Sequence, residues 1–563
     1  MSGKTGRYAI LEQFLADGMT YMFGNPGTVE QGFLDALEKY PGLQYITTLQ
    51  ETIAVAMADA YARSTKKPTL VQLHSGVGLG NGIGMMYQAY RGHAPLVVIA
   101  GEAGTQYDAT DAQMAADLVA MARPVTKWST RVVHPSSLLR VLRRAIKIAA
   151  TPPMGPVFVA LPMDVLDAIS EEQVEKTVIP VSRVTPSADV IDQAAAMLAG
   201  ASRPIIIMGD GIAYAGAHDE LRTIAETLGA DVWGADASEV NIPFTHPLYK
   251  GALGHMFGTH SSPITSSADA VLIAGTYVFP EVFPALDGVF ASDAKIVHVD
   301  LNAYEIAKNH RVDLGIVADP KPTLAAITAS LVSRMSAEQK SAARARIGIA
   351  EKAKHDALAS ALAHDATVAD RTPLDISRFM SELAHALPDD AVIFDEALTS
   401  SPALERYLHP HLPGHFFQTR GGSLGVGFPG ALGLKLAHPE KTVLGFSGDG
   451  GCMYTIQALW TAVRHKIGAK FIVCNNQSYM LLKLNIMEYW KERGIEEHTF
   501  PECFDLQGPV VDFAAMAHSM GVPARRVATP AEVGPAIAEM LATDGPYLLD
   551  VVVSNTVPGS TKS

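Results

Sequence analysis

The chain has 563 residues, too many for one ordinary core, and its 48% hydrophobic and 18% charged content describes a core-rich globular protein of several domains. A formal net charge of -14 without a local Lys/Arg cluster excludes a non-specific nucleic-acid partner. The three cysteines, Cys452, Cys474 and Cys503, show no metal-ligand spacing and are too sparse for a disulfide scaffold, which fits a reducing cytoplasm.

The first stretch, MSGKTGRYAILEQFLADG, enters an amphipathic helix without the apolar core and cleavage pattern of a signal peptide. No apolar run reaches membrane-spanning length, so a cytoplasmic protein with no membrane partner is expected. Over residues 1–180 the short apolar runs YMFGN, QYITTL, PTLVQLHS, APLVVIAG and PVFVALP alternate with helical segments such as ETIAVAMADAYARS, the pattern of a parallel α/β sheet. VIPVSRVTPSADV then reads as a linker. Residues 190–335 repeat the alternation with RPIIIMG, ADVWGA, AVLIAG and KIVHVD. The Ala/Lys/Glu-rich SAEQKSAARARIGIAEKAKHDALASALAHD predicts a connecting helix. A third domain over 370–556 carries AVIFDEA, TVLGFSG, KFIVCNN and YLLDVVV. The expected fold is α/β, with three doubly wound parallel-sheet domains.

The third domain holds the most informative pattern. TVLGF reads as a buried strand that breaks at Gly448-Asp449-Gly450, and KFIVC as a second strand that ends at Asn475-Asn476 on the same carboxyl edge, where open α/β sheets bind ligands. Asp449 and the amide pair are therefore expected to meet. A carboxylate and amide oxygens beside exposed backbone make a hard oxygen site, suited to magnesium or calcium and the diphosphate such ions carry. Taken separately, GDG and NN are each more simply turns. The middle domain supplies a control: IIIMGDGIAYAG repeats the strand and the Gly209-Asp210-Gly211 turn, but Ala237 stands where the spacing puts Asn476.

With its strand, turn, helix, strand and amide pair in order, the segment 448–476 resembles the thiamine diphosphate signature of the decarboxylase and carboligase superfamily. Three domains in this sequence match the pyruvate decarboxylase type over almost the whole chain. The phrases FGNPGTVEQGFLDAL, LHSGVGLGNGIG, GGSLGVGFPGALG and QSYMLLK are most similar to those of the benzoylformate decarboxylases.

The resemblance implies a magnesium ion held by Asp449, Asn476 and the Ser478 carbonyl. It implies a diphosphate lined by Gly450, Gly451 and Tyr479 and touched by Thr399. Gly422 would offer its carbonyl to the aminopyrimidine and Leu424 would lie beneath the ring to bend the cofactor, although Leu424 as ordinary core is the alternative. Glu51, where YITTL gives way to a helix, would pair with the aminopyrimidine and promote formation of the ylid; its alternative is a first-turn charge favoured by the helix dipole. Its apolar flanks would make an inward-facing carboxylate costly without a partner. His74, just after a buried-strand pattern, would be the acid-base group, and Thr28 would approach the substrate carboxylate. His93 has no match and reads as structural.

The implied activity is decarboxylation or carboligation of a 2-oxo acid through an ylid and an enamine, with an aldehyde or ketone acceptor in the second case. The implied assembly is a homo-oligomer, dimer or tetramer, with its site between subunits. An acetolactate synthase-like or acyl-CoA lyase carboligase is an alternative, and a catalytically silent cofactor-binding regulatory protein a more distant one. Departures from the pattern bear on substrate choice: Thr28 replaces a serine, Val282 replaces a second active-site histidine, and Leu481 replaces a smaller residue. LNIMEYWKERGIEEHTFPE adds a charged, aromatic excursion with the character of a lid.

Overall fold

The computed structural model describes residues 4–254, 256–279 and 281–560. Three six-stranded sheets, parallel throughout, form the three domains in chain order. The strands of the first lie between Tyr21–Gly24 and Val157–Pro162, of the second between Pro204–Met208 and Leu314–Val317, and of the third between Val392–Glu396 and Tyr547–Val552. Numbered by their order within each domain, the first and third sheets share the order 2-1-3-4-6-5, whereas the middle sheet runs 3-2-1-4-5-6. Central strands such as Thr69–Leu73 and Lys470–Asn475 are buried along their whole length, as expected where helices cover both faces.

One hydrophobic core joins the first and third domains. Helix Glu51–Thr65 contributes Ile53, Val55 and Met57, and they belong to the same buried cluster as Phe394, Phe428 and Leu432. The middle domain has a separate core that includes Ile206, Leu272 and Val297. The predicted connecting helix is Ala337–Val368, whose start is fixed by a capping box between Ser336 and Gln339. Among the described residues no helix is long and apolar enough to cross a membrane. The three cysteines are unpaired.

Candidate active site

Three adjacent strands of the first domain end at one edge, and each leads into one of the residues expected from the sequence to form the site. Strand Tyr21–Gly24 leads into Gly27 and Thr28, strand Thr69–Leu73 into His74, and strand Gln44–Thr47 toward Glu51, the first residue of its helix. Thr28 is exposed at the start of a short 3-10 turn. The His74 ring lies directly on Gly27, where a Cβ would come within 1.9 Å of Nδ1, so no other residue fits there. Nδ1 of His74 stands 2.8 Å from Oε2 of Glu30, which is fully buried and also accepts the Gly101 N–H at 2.8 Å. Burial pushes the Glu30 carboxyl up, while its bonds to His74 and Gly101 pull it down. A carboxylate at this distance favours the tautomer in which Nδ1–H donates to it, which leaves Nε2 without the proton in the neutral ring.

Glu51 is 8% exposed, and its Oε2 accepts a hydrogen bond from Asn81 Nδ2 at 3.0 Å. The partner that its apolar surroundings demand is thus supplied in part by the protein. Glu30 and Asn81 are the residues that sequence reasoning missed on this edge. The only signal for Glu30 was its place in the NPGTVEQGF phrase, where it reads as a first-turn helix charge.

The second group lies at the carboxyl edge of the third sheet. Strands Val443–Gly448 and Lys470–Asn475 are neighbours, with Gly448 opposite Cys474, so their two turns are side by side. Asp449 is 6% exposed; Oδ1 accepts the N–H of Gly450 at 2.8 Å, and Oδ2 is buried with no hydrogen-bond partner among the described residues. Burial pushes its carboxyl up to about 6, against the backbone N–H groups of Gly450, Gln477 and Ser478. Asn476 Oδ1 accepts the Ser478 N–H at 3.0 Å, whereas Asn475 turns away and donates to Asp550 at 2.8 Å. Only the second member of the amide pair therefore belongs to the Asp449 turn. The Tyr479 ring covers Gly450, where a Cβ would come within 2.4 Å of it.

Thr399 lies in the 3-10 turn Leu398–Ser400, and Leu424 is half-buried on the loop after Gly422, outside the hydrophobic core. A further carboxylate missed in the sequence, Glu396, ties these parts together. It is 1% exposed and accepts the N–H groups of Gly425 (2.5 Å) and Gly427 (2.6 Å) and the Ser447 hydroxyl (3.3 Å). Burial pushes it up to about 7.

The two GDG turns differ in what their aspartates lack. Asp210 is saturated by the Ser238 and Glu239 N–H groups, Asn241 Nδ2 and Arg420 Nη1. Asp449 keeps one buried oxygen without a donor. An ionised oxygen in that position is costly unless a cation reaches it, so the donor set of Asp449 Oδ2, Asn476 Oδ1 and the Ser478 carbonyl fits a hard divalent ion.

Elsewhere, His93 is held by the Met154 carbonyl (3.1 Å), with its ring edge-on to Tyr214, away from both groups. Val282 is 58% exposed in a middle-domain loop. The charged excursion after Leu481 is helical and packed. Helix Met480–Arg493 buries Trp490 against His498 and Phe500, and Glu488 reaches His260 of the middle domain at 3.3 Å.

Side chains of this kind can move protons and hold a charged group, but they offer no electron sink of their own, which defines an enzyme that works through a bound cofactor at its sheet edges. Comparison with known families identifies that cofactor. The thiamine pyrophosphate enzyme N-terminal binding domain matches residues 4–121, the central domain 191–327 and the C-terminal binding domain 399–551. The chain belongs to the thiamine pyrophosphate enzymes. It is 30% identical to a probable acetolactate synthase large subunit of Methanocaldococcus jannaschii, across 97% of this chain and 92% of that one. It is 29% identical to a benzoylformate decarboxylase of Pseudomonas aeruginosa, across 99% and 100%. Among solved structures, a thiamine diphosphate-dependent 4-hydroxybenzoylformate decarboxylase of Rhodococcus jostii superposes with a TM-score of 0.84 at 26% identity, covering 98% of this chain and 100% of that one.

Proposed function

We propose that this thiamine diphosphate enzyme decarboxylates a 2-oxo acid with the help of magnesium, in the manner of the benzoylformate decarboxylases. The observation that carries the reading is the His74–Glu30 pair beside Thr28 and Glu51 on one sheet edge: an imidazole with a fixed tautomer next to a hydroxyl and a buried carboxylate. When bound, thiamine diphosphate supplies a carbon nucleophile and an electron sink for the pair of electrons left as carbon dioxide departs. Glu51 holds a proton at the pyrimidine ring nitrogen. The Thr28 hydroxyl donates to the substrate carboxylate, and His74 Nε2 returns the proton that completes the aldehyde. Asp449, Asn476 and Ser478 hold magnesium, Gly450, Gly451, Tyr479 and Thr399 surround the diphosphate, and Gly422 and Leu424 seat the rings.

The site is completed by a second copy of the chain. The described side-chain contacts of Glu51 and His74 stay within the first domain, and those of Asp449 and Asn476 within the third. Large apolar side chains stand in solvent beside both: Leu49 and Val77 flank the first group, and Met453 and Tyr454 the second. Such surface belongs under a partner.

A second reading, an acetolactate synthase-like carboligase, is supported by the full-length similarity to such a subunit. There a carbonyl acceptor takes the place of the proton from His74. Incubating the protein with thiamine diphosphate, magnesium and a panel of aromatic and aliphatic 2-oxo acids, followed by mass spectrometry, separates the two. Aldehydes from the aromatic acids support decarboxylation; 2-hydroxy-2-methyl-3-oxo acids from pyruvate alone overturn it.

A further inference from the structure

Arg420 immediately precedes Gly421 and Gly422, and nothing in the proposed reaction uses it. Its guanidinium is 5% exposed. Nη1 donates to Asp210 Oδ2 (3.2 Å), while Nη2 donates to Asp236 Oδ2 (2.9 Å) and to the Arg91 carbonyl (2.9 Å). Its main-chain N–H donates to Gln88 Oε1 at 2.8 Å. Asp210 and Asp236 belong to the middle domain; Gln88 and Arg91 end the helix Ser75–Arg91, which begins beside His74. All three domains therefore meet at one side chain of the third. Burial works against the charge, but the Asp236 and Asp210 carboxylates outweigh it and hold the guanidinium above its ordinary value, so it stays charged.

The chain beyond Arg420 is lightly held: Gly421 lies against Tyr87 and Arg91, and the Ser423 hydroxyl donates to the Gly84 carbonyl at 3.4 Å. Gly421 and Gly422 have φ of +62° and +74°, and a Cβ on Gly422 would meet nothing within 4 Å, so that flank is open. Closer anchorage returns at Gly425 and Gly427, whose N–H groups are bound by Glu396 at 2.5 and 2.6 Å. Within the span, Thr419 Oγ1 donates to the Ser423 carbonyl at 2.8 Å. A short span starting with two glycines is conformationally permissive, and its course is set by where its ends are fixed.

We propose that Arg420 is a positioning residue for the cofactor: through Asp210 and Asp236 the middle domain sets the Gly421–Leu424 loop, and with it the Gly422 carbonyl that meets the pyrimidine ring. The inference rests on the assignment of Gly422 made above. It also gives the middle-domain GDG turn a task, which is to hold an arginine rather than a ligand. Asp210 can do so because Ser238, Glu239 and Asn241 already fix its carboxylate.

Two variants test it. In Arg420→Lys a compact ammonium keeps the charge but cannot span both carboxylates and the carbonyl. In Asp236→Asn one partly exposed arm is weakened, together with the Arg91 Nη2 contact to the same oxygen at 3.1 Å, without stranding a buried charge. Calorimetric titration of each apoprotein with thiamine diphosphate and magnesium, paired with melting curves with and without cofactor, is the measurement. The inference expects binding weakened roughly tenfold or more in both, and a smaller cofactor-induced rise in melting temperature, with the apoprotein melting close to wild type.

Wild-type affinity in both variants overturns it. So does a lower apoprotein melting temperature with an unchanged cofactor-induced rise, because that is the behaviour of a merely structural residue. If Arg420→Lys does not fold, Asp236→Asn decides. Asp449→Ala, run alongside, separates the two levels: if it alone loses binding, the site assignment stands and the Arg420 inference falls. If it binds as wild type does, the assignment fails and takes the inference with it.

Discussion

His74 takes its orientation from Glu30, 44 residues earlier in the chain, and the two should fail together. His74→Ala is expected to slow turnover by roughly two to four orders of magnitude, the usual worth of a positioned acid-base group, while hydrogen-deuterium exchange at the thiazolium carbon of the bound cofactor stays at the wild-type rate. Glu51→Gln should do the reverse: exchange slows by about two to four orders of magnitude while calorimetry shows the cofactor still bound. Equal exchange rates in wild type and Glu51→Gln would contradict the role given to Glu51. In the sequence both residues stand where an apolar run stops and a helix starts, and the roles expected of them came from the family resemblance rather than from that local pattern. Glu30 and Asn81 were not, since their function lies in a contact between segments that no local pattern encodes.

At the scale of elements, the loop that carries Asn476 and Ser478 is clamped from behind. Tyr479 N–H donates to the Phe504 carbonyl at 2.9 Å, Leu506 N–H to the Gln477 carbonyl at 2.9 Å, and the Ser478 hydroxyl to Phe504 at 3.2 Å. Phe500, a few residues before that segment, packs with Trp490 of helix Met480–Arg493 in one small apolar cluster. Trp490→Ala should cost about 3–5 kcal/mol of local or global stability, raise amide exchange over 477–506 and weaken magnesium-dependent cofactor binding. Unchanged exchange in that segment would contradict the clamp.

The same scale shows where reading the sequence stops. The strands recognised as apolar runs include every central strand of the three sheets. Five of the six edge strands, Trp128–Arg131, Tyr249–Ala252, Leu314–Val317, Phe416–Gln418 and Ala524–Val527, were not recognised. An edge strand is short and partly open to solvent, so sequences such as WSTR, YKGA and ARRV carry no hydrophobic signature. Of the expected site residues, Thr28, His74, Asp449 and Asn476 follow central strands, and Glu51 follows the one edge strand that was recognised.

For the molecule as a whole, His298 is one source of acid sensitivity, alongside His93 and His310, which burial also pushes down to about 4. His298 is fully buried; Nε2 lies 2.8 Å from the Thr276 carbonyl, Nδ1 has no partner among the described residues, and burial pushes the ring down from 6.5 to about 4. The depressed value means the unfolded chain binds the proton first, so the neutral ring's contribution is whole above pH 6.5 and is lost as pH falls toward 4. His298→Gln should flatten that part of the stability profile by up to about 3 kcal/mol, as read from urea denaturation at several pH values. An unaltered slope would contradict the assignment.

The central claim is that one active site takes Glu51 from one subunit and Asp449 from another. Mixing the inactive variants Glu51→Gln and Asp449→Ala under conditions of subunit exchange tests it directly, with aldehyde formation from a 2-oxo acid as the readout. In a mixed dimer one site receives both lesions and the other receives neither, so equal amounts of the two variants should recover about a quarter of the wild-type activity. If wild type survives the same exchange while the mixture, shown to contain mixed dimers, stays inactive, each site draws both residues from one chain and the account is wrong.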